Sequence, residues 1–184
     1  KINFLTSTTI LDLRKIPEHL VIIGGGYIAL EMAQMFKRFG AKVTILEQQN
    51  RLMSHEDDDV CVEISTILAE EKIKIYTSAE VLKVKNKGKS VSVNVLINKK
   101  ITRIICSDIL IATGRKPQTE KLNLTAAGVK LSDKGFIEVD VHLKTNNPHI
   151  YALGDVKGGP AFTHVAYNDY VIVAQNLLEN KNLD

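Results

Sequence analysis

Short apolar runs alternate with amphipathic stretches in the first part of the chain. Residues 20–23 (LVII) are a continuous apolar run, typical of a parallel strand buried on both faces, and three glycines end it. From Tyr27 to Phe39 the apolar residues recur at helical spacing, and Gly40 follows as a helix stop. Residues 42–46 (KVTIL) indicate a second strand. This order predicts one right-handed βαβ unit.

A second helix and a third parallel strand follow in the pattern. Asp57, Asp58 and Asp59 place negative charge in the first turn of this helix, and residues 73–76 are apolar enough for a strand. We expect the buried face of the helix to consist of Val60, Ile64, Ile67 and Leu68.

The spacing then changes to that of an antiparallel meander. Residues 81–85, 90–97 and 101–105 read as strands separated by turn residues, and the alternation over 90–97 predicts one covered face and one wet face. Residues 109–111 are expected to return to the parallel sheet.

The pattern after Pro117 is weaker. We predict strands at 136–139 and 150–153 and a helix from 165 to 178.

Composition narrows the possible functions. The 184 residues are 45% hydrophobic, and 24 basic against 21 acidic groups leave a net charge of +3. The basic residues are scattered, so we expect neither a nucleic-acid nor a membrane partner. Cys61 and Cys106 have neither redox-pair nor metal-ligand spacing, so we expect reduced thiols, a cytoplasmic location and no metal site. The chain starts at Lys1 without methionine, and we expect it to be part of a longer protein.

The stretch from Gly24 to Ala29 (GGGYIA) carries the clearest chemistry. It fits G-x-G-x-x-G/A, follows a predicted buried strand and opens a helix. Gly24 permits a tight turn, Gly26 lets a pyrophosphate approach the backbone, and Ala29 lets helix and strand pack closely. The stretch therefore predicts a dinucleotide site.

Glu47 ends the second strand, where a carboxylate accepts both hydroxyls of an adenosine ribose. The carboxylate would repel a 2′-phosphate, which favours NAD over NADP. Ala29 in the third glycine position and the nearby Arg51 favour NADP. We expect the carboxylate to decide in favour of NADH, because an unpaired charge against phosphate costs more than a methyl group.

Four motifs in this order, GGGYIALE, the Glu47 strand end, ATGRKP and HIYALGDV, resemble the FAD-dependent pyridine nucleotide disulfide oxidoreductases. This family includes dihydrolipoamide dehydrogenase, glutathione reductase and mercuric reductase. The resemblance implies an α/β fold: a Rossmann-like, three-layer FAD/NAD(P)-binding domain with a parallel sheet plus an antiparallel β-meander. It also implies that FAD and NAD(P)H are the cofactors.

The same resemblance implies the binding residues. Tyr27 matches the residue that covers the nicotinamide side of the flavin, and Glu31 matches one that pairs with a lysine of the flavin domain. Asp155 matches the acceptor of the ribityl hydroxyls, and the backbone before the last helix faces the flavin. The implied NAD contacts are Gly24, Gly25, Gly26, Tyr27, Ile28, Ala29, Glu31, Glu47, Val81 and Gly114. The implied FAD contacts are Asp155, Ala161, Phe162, Thr163 and His164.

Two shorter stretches, 158–163 and 168–170, look closer to the branch that reduces reactive chlorine or hypothiocyanous species.

We expect residues 1–19 to be a linker, 20–117 an NAD(P)-binding domain, and 118–184 part of a returning FAD domain.

The chain lacks the family's N-terminal glycine fingerprint, C-x4-C disulfide and H-x4-E pair. We therefore expect a fragment that holds no catalytic residue of its own and does not turn over a disulfide by itself. In the parent, a homodimer, hydride would pass from NADH to FAD and on to a disulfide outside this chain. The alternatives are a fragment of an NADH oxidase or ferredoxin-reductase-like flavoprotein without that disulfide, and a free-standing NADH-sensing module.

Overall fold

A central parallel strand organises the first part of the structure. The computed structural model describes residues 2–88 and 90–184, which divide into the units Lys1–Gly114 and Arg115–Asp184. In chain order the first unit contains β1 (His19–Ile23), α1 (Tyr27–Arg38), β2 (Lys42–Leu46), α2 (Asp58–Glu70), β3 (Lys74–Tyr76), β4 (Glu80–Lys87), β5 (Ser90–Ile97), β6 (Lys100–Cys106) and β7 (Asp108–Ile111).

The parallel sheet has the strand order β3-β2-β1-β7. Ile23, the last residue of β1, pairs with Leu46 at the end of β2 and with Ile111 at the end of β7. The three strands therefore end level with one another. The predicted βαβ unit, the third parallel strand and the return of 109–111 to this sheet are all confirmed.

Alternation along β1 gives the sheet two covered faces. Leu20 and Ile22 pack in one hydrophobic cluster with residues of α1 and α2, whereas Val21 packs in a second cluster with β5. The second sheet is antiparallel, in the order β4-β5-β6, and its central strand β5 buries every second residue. The predicted meander and the three-layer α/β fold class are thus confirmed.

The buried face of α2 differs from the prediction. Val60 and Ile67 are each 42% exposed, whereas Cys61 and Leu68 are buried and Ile64 is partly buried against the helix-side cluster. Positions 61, 64 and 68 lie on one helical face, because they are three and four residues apart. The prediction is thus confirmed for Ile64 and Leu68 and wrong for Val60 and Ile67, because Cys61 was not counted among the apolar residues of the helix.

The segment expected to be a linker contributes to the first unit. Leu5 pairs in parallel with Leu110, which places the segment beside β7. A 3₁₀ helix follows at Thr9–Asp12, and its Ile10 is only 1% exposed within the helix-side cluster. The segment is therefore partly ordered by core packing and is not extended throughout.

The second unit has less regular structure than predicted. The expected strands at 136–139 and 150–153 are reduced to isolated bridges, Leu131 with Ile137 and Lys144 with Tyr151. A run of apolar residues becomes a strand only when a neighbouring strand satisfies its backbone groups. Among the described residues of this unit, each pairing is a single bridge and does not extend into a ladder. The unit also contains a 3₁₀ helix at Gly154–Lys157 and α3 (Thr163–Leu178), close to the predicted helix.

In residues 2–88 and 90–184, no helix is both long and apolar enough to cross a membrane.

His19 joins the two sheets of the first unit at the amino end of β1. Its Nδ1 donates to the Ile105 carbonyl oxygen at 2.9 Å, and its Nε2 lies 2.9 Å from Thr44 Oγ1. Burial lowers the pKa of the imidazole below its usual 6.5, and Lys42 and Lys74 lower it further, although the Ile105 hydrogen bond opposes them.

This lowered pKa predicts a loss of stability on acidification. Between the folded-state pKa of His19 and 6.5, the unfolded chain binds more protons than the folded chain. The free energy of unfolding therefore falls as pH falls through this window. We expect His19→Gln to flatten the dependence of the urea midpoint on pH between about 7.5 and 5.5. The exposed His55→Gln is the matched control and should keep the wild-type slope; an unchanged slope in His19→Gln would contradict the assignment.

Candidate functional site

The level ends of three parallel strands create one edge at which loops meet. Gly24 follows β1 and donates its N–H to the Leu46 carbonyl oxygen at 2.9 Å. On the other side, Ala112 follows β7 and donates to the Ile23 carbonyl oxygen at 2.8 Å. The predicted site residues of the glycine loop, Glu47 and Gly114 therefore follow neighbouring strands at the same edge.

Gly24 occupies a position that only glycine fits. Its φ is +113°, and a Cβ atom there would lie 2.4 Å from the Ala112 carbonyl oxygen. An L side chain would meet both the unfavourable backbone conformation and this clash. The tight turn predicted at Gly24 is present, and its cause is close packing against the backbone after β7.

Gly25 has a role that the motif did not reveal. A Cβ at this position would lie 2.7 Å from Glu47 Oε2 and 2.8 Å from Leu52 Cδ2. Its carbonyl oxygen also accepts the Met53 N–H at 2.9 Å. Gly25 therefore lets the loop after β2 pack directly on the glycine loop. The sequence signal for this packing would have been a glycine at the first x position of G-x-G-x-x-G/A, together with an acidic residue at the end of the next strand.

Gly26 and the start of α1 leave an open surface at the N-terminus of the helix. Gly26 is the N-cap, no atom lies within 4 Å of the place its Cβ would occupy, and no side chain caps the helix. The first turn also contains no acidic residue. Helix N-termini present unpaired N–H groups and a positive dipole end, so this geometry and donor set fit a pyrophosphate. Ala29 is fully buried beneath the turn, as close helix–strand packing requires.

The carboxylate of Glu47 is fixed beside the glycine loop. Its Oε1 accepts the Gln49 N–H at 2.6 Å, while its backbone pairs with Tyr76 at 2.8 Å and with Ala79 at 2.9 Å. One acceptor oxygen is thus used to shape the loop. Glu47 has two oxygens with several acceptor positions, so the group retains capacity for sugar hydroxyls.

Arg51, which favoured NADP in the sequence, is engaged elsewhere. Its guanidinium forms an ion pair with Asp58 at the start of α2. It also donates to the carbonyl oxygens of Ser54 at 3.2 Å and Glu56 at 3.3 Å. Three partners within one loop and helix start therefore compete with any phosphate for this side chain.

Val81 lies three residues after Ser78, which contacts the loop that follows Glu47. The N–H of Ser78 donates to the Gln49 carbonyl oxygen at 2.7 Å, which ties the approach to β4 to this loop. Val81 pairs with Val95, is partly buried, and precedes an irregularity in the pairing before Lys83. Gly114 is exposed after β7.

The remaining predicted NAD contacts lie on the first turns of α1. Tyr27 is 40% exposed, Ile28 is partly buried and Glu31 is exposed. Both Tyr27 and Glu31 are therefore accessible to solvent on this turn.

The predicted flavin contacts lie in the second unit, around a turn and a helix start. Asp155 is in the Gly154–Lys157 turn, and its Oδ2 lies 2.9 Å from Arg115 Nη2. Phe162 is the N-cap of α3, which has neither a side-chain cap nor an acidic residue in its first turn. The rings of Phe162 and His164 stack at 5.4 Å between centroids. Ala161 and Thr163 flank this N-cap, so all five predicted residues fall on these two elements.

The two thiols are separate and buried. Cys61 Sγ donates to the Met53 carbonyl oxygen at 3.3 Å, and Cys106 Sγ donates to that of Val91 at 3.5 Å. Burial raises the pKa of Cys106 to about 11, and Asp108 adds to this effect. In the described part of the chain, no three His, Cys, Asp or Glu side chains are arranged to hold a metal ion.

Comparison with known proteins gives consistent matches over this chain. The sequence profile described as pyridine nucleotide-disulphide oxidoreductase matches residues 1–169. Mercuric reductase from Staphylococcus aureus is 41% identical over 178 residues, which are 97% of this chain and 32% of that protein. The probable pyridine nucleotide-disulfide oxidoreductase RclA from Escherichia coli is 40% identical over 94% of this chain and 38% of its own length.

Solved structures agree with these sequence matches. The HOCl-induced flavoprotein disulfide reductase RclA from Escherichia coli superposes with a TM-score of 0.90 at 37% identity, over 97% of this chain and 40% of that one. LpdA from Mycobacterium tuberculosis gives a TM-score of 0.86 at 26% identity, over 98% of this chain and 38% of that one. The chain therefore spans about a third of the length of its curated relatives.

The raised pKa of Cys106 predicts an unreactive thiol. With a pKa of about 11, only about one Cys106 in a thousand is a thiolate at pH 8, against about one in four for an ordinary thiol. In a Cys61→Ala variant, iodoacetamide should therefore label native Cys106 at least about 100-fold more slowly than the urea-unfolded chain. Mass spectrometry of the labelled protein measures both rates. Labelling of native protein within a few-fold of the unfolded rate would rule out this environment.

Proposed function

The chain belongs to the pyridine nucleotide-disulphide oxidoreductase family, and we propose that its first unit is the NADH-binding part of a flavoprotein disulfide reductase. The single observation that carries this proposal is the start of α1. There an open space over Gly26 meets an uncapped helix N-terminus without acidic residues. This combination suits the two phosphates of a dinucleotide.

Glu47 supports NADH over NADPH as the nucleotide. Its carboxylate is anchored at the end of β2 through Gln49, in the place where the adenosine ribose hydroxyls are bound in this type of domain. Arg51, the cation that could bind a 2′-phosphate, is paired with Asp58. An NADPH phosphate would therefore meet a negative charge without a free counter-charge from Arg51.

Under the same proposal, residues of the second unit form part of an FAD site. Asp155 would accept hydrogen bonds from the ribityl hydroxyls, and the uncapped start of α3 at Ala161–His164 would direct its amides and positive dipole end at the flavin. When bound together, the two cofactors supply hydride transfer from nicotinamide to flavin. The residues of this chain bind and orient them, with Tyr27 and Glu31 accessible on the nicotinamide side.

The electron-transfer steps after flavin reduction would take place outside these residues. We propose that the electrons pass to a redox disulfide elsewhere in a longer, homodimeric, cytosolic polypeptide, because Cys61 and Cys106 are buried and unpaired. We also propose an NAD(P)-binding domain over 20–117 and a partial FAD domain over 118–184, which the division into units after Gly114 supports. Similarity to RclA, described as an HOCl-induced disulfide reductase, supports a role in oxidative defence.

Substitution of Gly26 tests the nucleotide site directly. Gly26 has a φ of −84° and open space around it, so Gly26→Ala should leave the free energy of unfolding within about 1 kcal/mol of wild type. The added methyl group would occupy the place of the pyrophosphate, so the Kd for NADH should rise at least about tenfold. Calorimetric titration of NADH and urea unfolding measure the two effects.

A control separates loss of the site from loss of the fold. Gly24→Ala should lower stability by more than Gly26→Ala does, because of its clash with Ala112. If wild type binds no NADH, or if Gly26→Ala binds NADH as wild type does, the proposed nucleotide site is wrong.

Substitution of Glu47 tests the choice of nucleotide. Glu47→Gln removes the charge but keeps an oxygen that can accept the Gln49 N–H. We expect the Kd for NADH to rise roughly tenfold or more, and the ratio of NADPH to NADH affinity to rise as well. The exposed Glu70→Gln on α2 is the matched control for loss of one charge. Unchanged discrimination between the nucleotides in Glu47→Gln would remove Glu47 from this role.

A further inference from the structure

The second unit contains a buried carboxylate that the proposed function does not use. Asp169 on α3 is 4% exposed, whereas the other buried polar residues in the described chain are Thr44, Thr119 and Thr145. Burying a carboxylate is unfavourable unless hydrogen bonds or an opposite charge compensate for its lost hydration. The hydrogen-bond and ion-pair partners of Asp169 therefore indicate which part of the structure its carboxylate stabilises.

Both partners of Asp169 belong to the turn that carries Asp155. Its Oδ2 accepts the Gly154 N–H at 2.8 Å and lies 3.4 Å from Lys157 Nζ. Gly154 and Lys157 are the first and last residues of this turn. A single oxygen of α3 thus fixes both ends of the turn, with Asp155 between them.

The start of this turn depends on support from α3. Gly154 has a φ of +69°, and a Cβ there would lie 3.2 Å from Ala166 Cβ, so no side chain can anchor the turn at its start. The Gly154 N–H is instead fastened to α3 by Asp169. Loss of this bond would let the turn move away from the helix.

The charges around the turn alternate in sign. Arg115 pairs with Asp155, and Lys157 pairs with Asp169. The Lys157 side chain is 16% exposed and is drawn into the unit by Asp169. Without that carboxylate, Lys157 would be a second cation near Asp155, two residues away, and would compete with a neutral ligand for its oxygens.

We propose that Asp169 is a positioning residue for flavin binding: it fixes the Gly154–Lys157 turn so that Asp155 presents its carboxylate to the ribityl hydroxyls of FAD. This inference rests on the proposed function, in which Asp155 contacts the flavin. Asp169 itself does not touch the cofactor. Its effect on affinity passes through the Gly154 hydrogen bond and the Lys157 ion pair.

The test measures FAD affinity and stability separately, in the full-length flavoprotein. Apoprotein is titrated with FAD by flavin fluorescence, and thermal unfolding of the same apoprotein reports stability. Asp169→Ala removes both contacts and should raise the Kd for FAD roughly 10- to 100-fold. Asp169→Asn keeps an oxygen for the Gly154 N–H and should recover part of this loss. The Asn variant also keeps the test decisive if the Ala variant does not fold.

Asn176 provides a matched control on the same helix. Its side chain makes two hydrogen bonds with the backbone of Leu183, at 2.9 and 2.8 Å, away from the turn. Asn176→Ala should lower the thermal midpoint while leaving the Kd for FAD within about twofold of wild type. An equal rise in Kd in Asn176→Ala and Asp169→Ala, or no rise in Asp169→Ala, would overturn the inference.

Asp155→Ala distinguishes this failure from failure of the proposed function. If Asp155→Ala weakens FAD binding and Asp169→Ala does not, only the positioning role is wrong. If wild type does not bind FAD, or Asp155→Ala binds it normally, the flavin site proposed for the second unit is wrong, and the role of Asp169 falls with it.

Discussion

The contact between Gly24 and the Ala112 carbonyl is the constraint on which the first unit depends. It exists because β1 and β7 end level, and it leaves no room for a side chain where the chain turns from strand to helix. The turn then starts α1 directly over the sheet, which brings Ala29 into full burial. One steric condition thus links the sheet register to the open helix N-terminus.

Glu47 connects this backbone geometry to the proposed choice of NADH. Its side chain shapes its own loop through Gln49 and packs closely against Gly25, where a Cβ would lie 2.7 Å from Glu47 Oε2. The loop after β2 and the glycine loop are therefore packed as one surface. A substitution in either loop would disturb the other, so affinity and discrimination for the proposed nucleotide would be coupled through packing as well as through charge.

Much of the first unit was predictable from sequence, and the reason is local. The strand at 20–23, the glycine turn and the meander each express their period within a few residues. The role of Gly25 was not predictable, because it depends on Glu47 and Leu52 arriving from elsewhere in the chain. In the second unit the runs at 136–139 and 150–153 had strand-like composition but formed only isolated bridges, since pairing depends on a neighbour that sequence does not display.

The first turns of the three α-helices differ in their charged residues. The first turn of α2 contains Asp58 and Asp59, which offset its positive dipole end, and Arg51 balances that charge in turn. The first turns of α1 and α3 contain no acidic residue and no side-chain cap. Leaving a helix start uncapped costs stability, because its N–H groups lack partners. The start of α2 also lacks a side-chain cap, but its acidic first turn offsets the positive dipole end. The starts of α1 and α3 have no such acidic residue, and there anionic or electron-rich ligands are proposed to complete the hydrogen bonds.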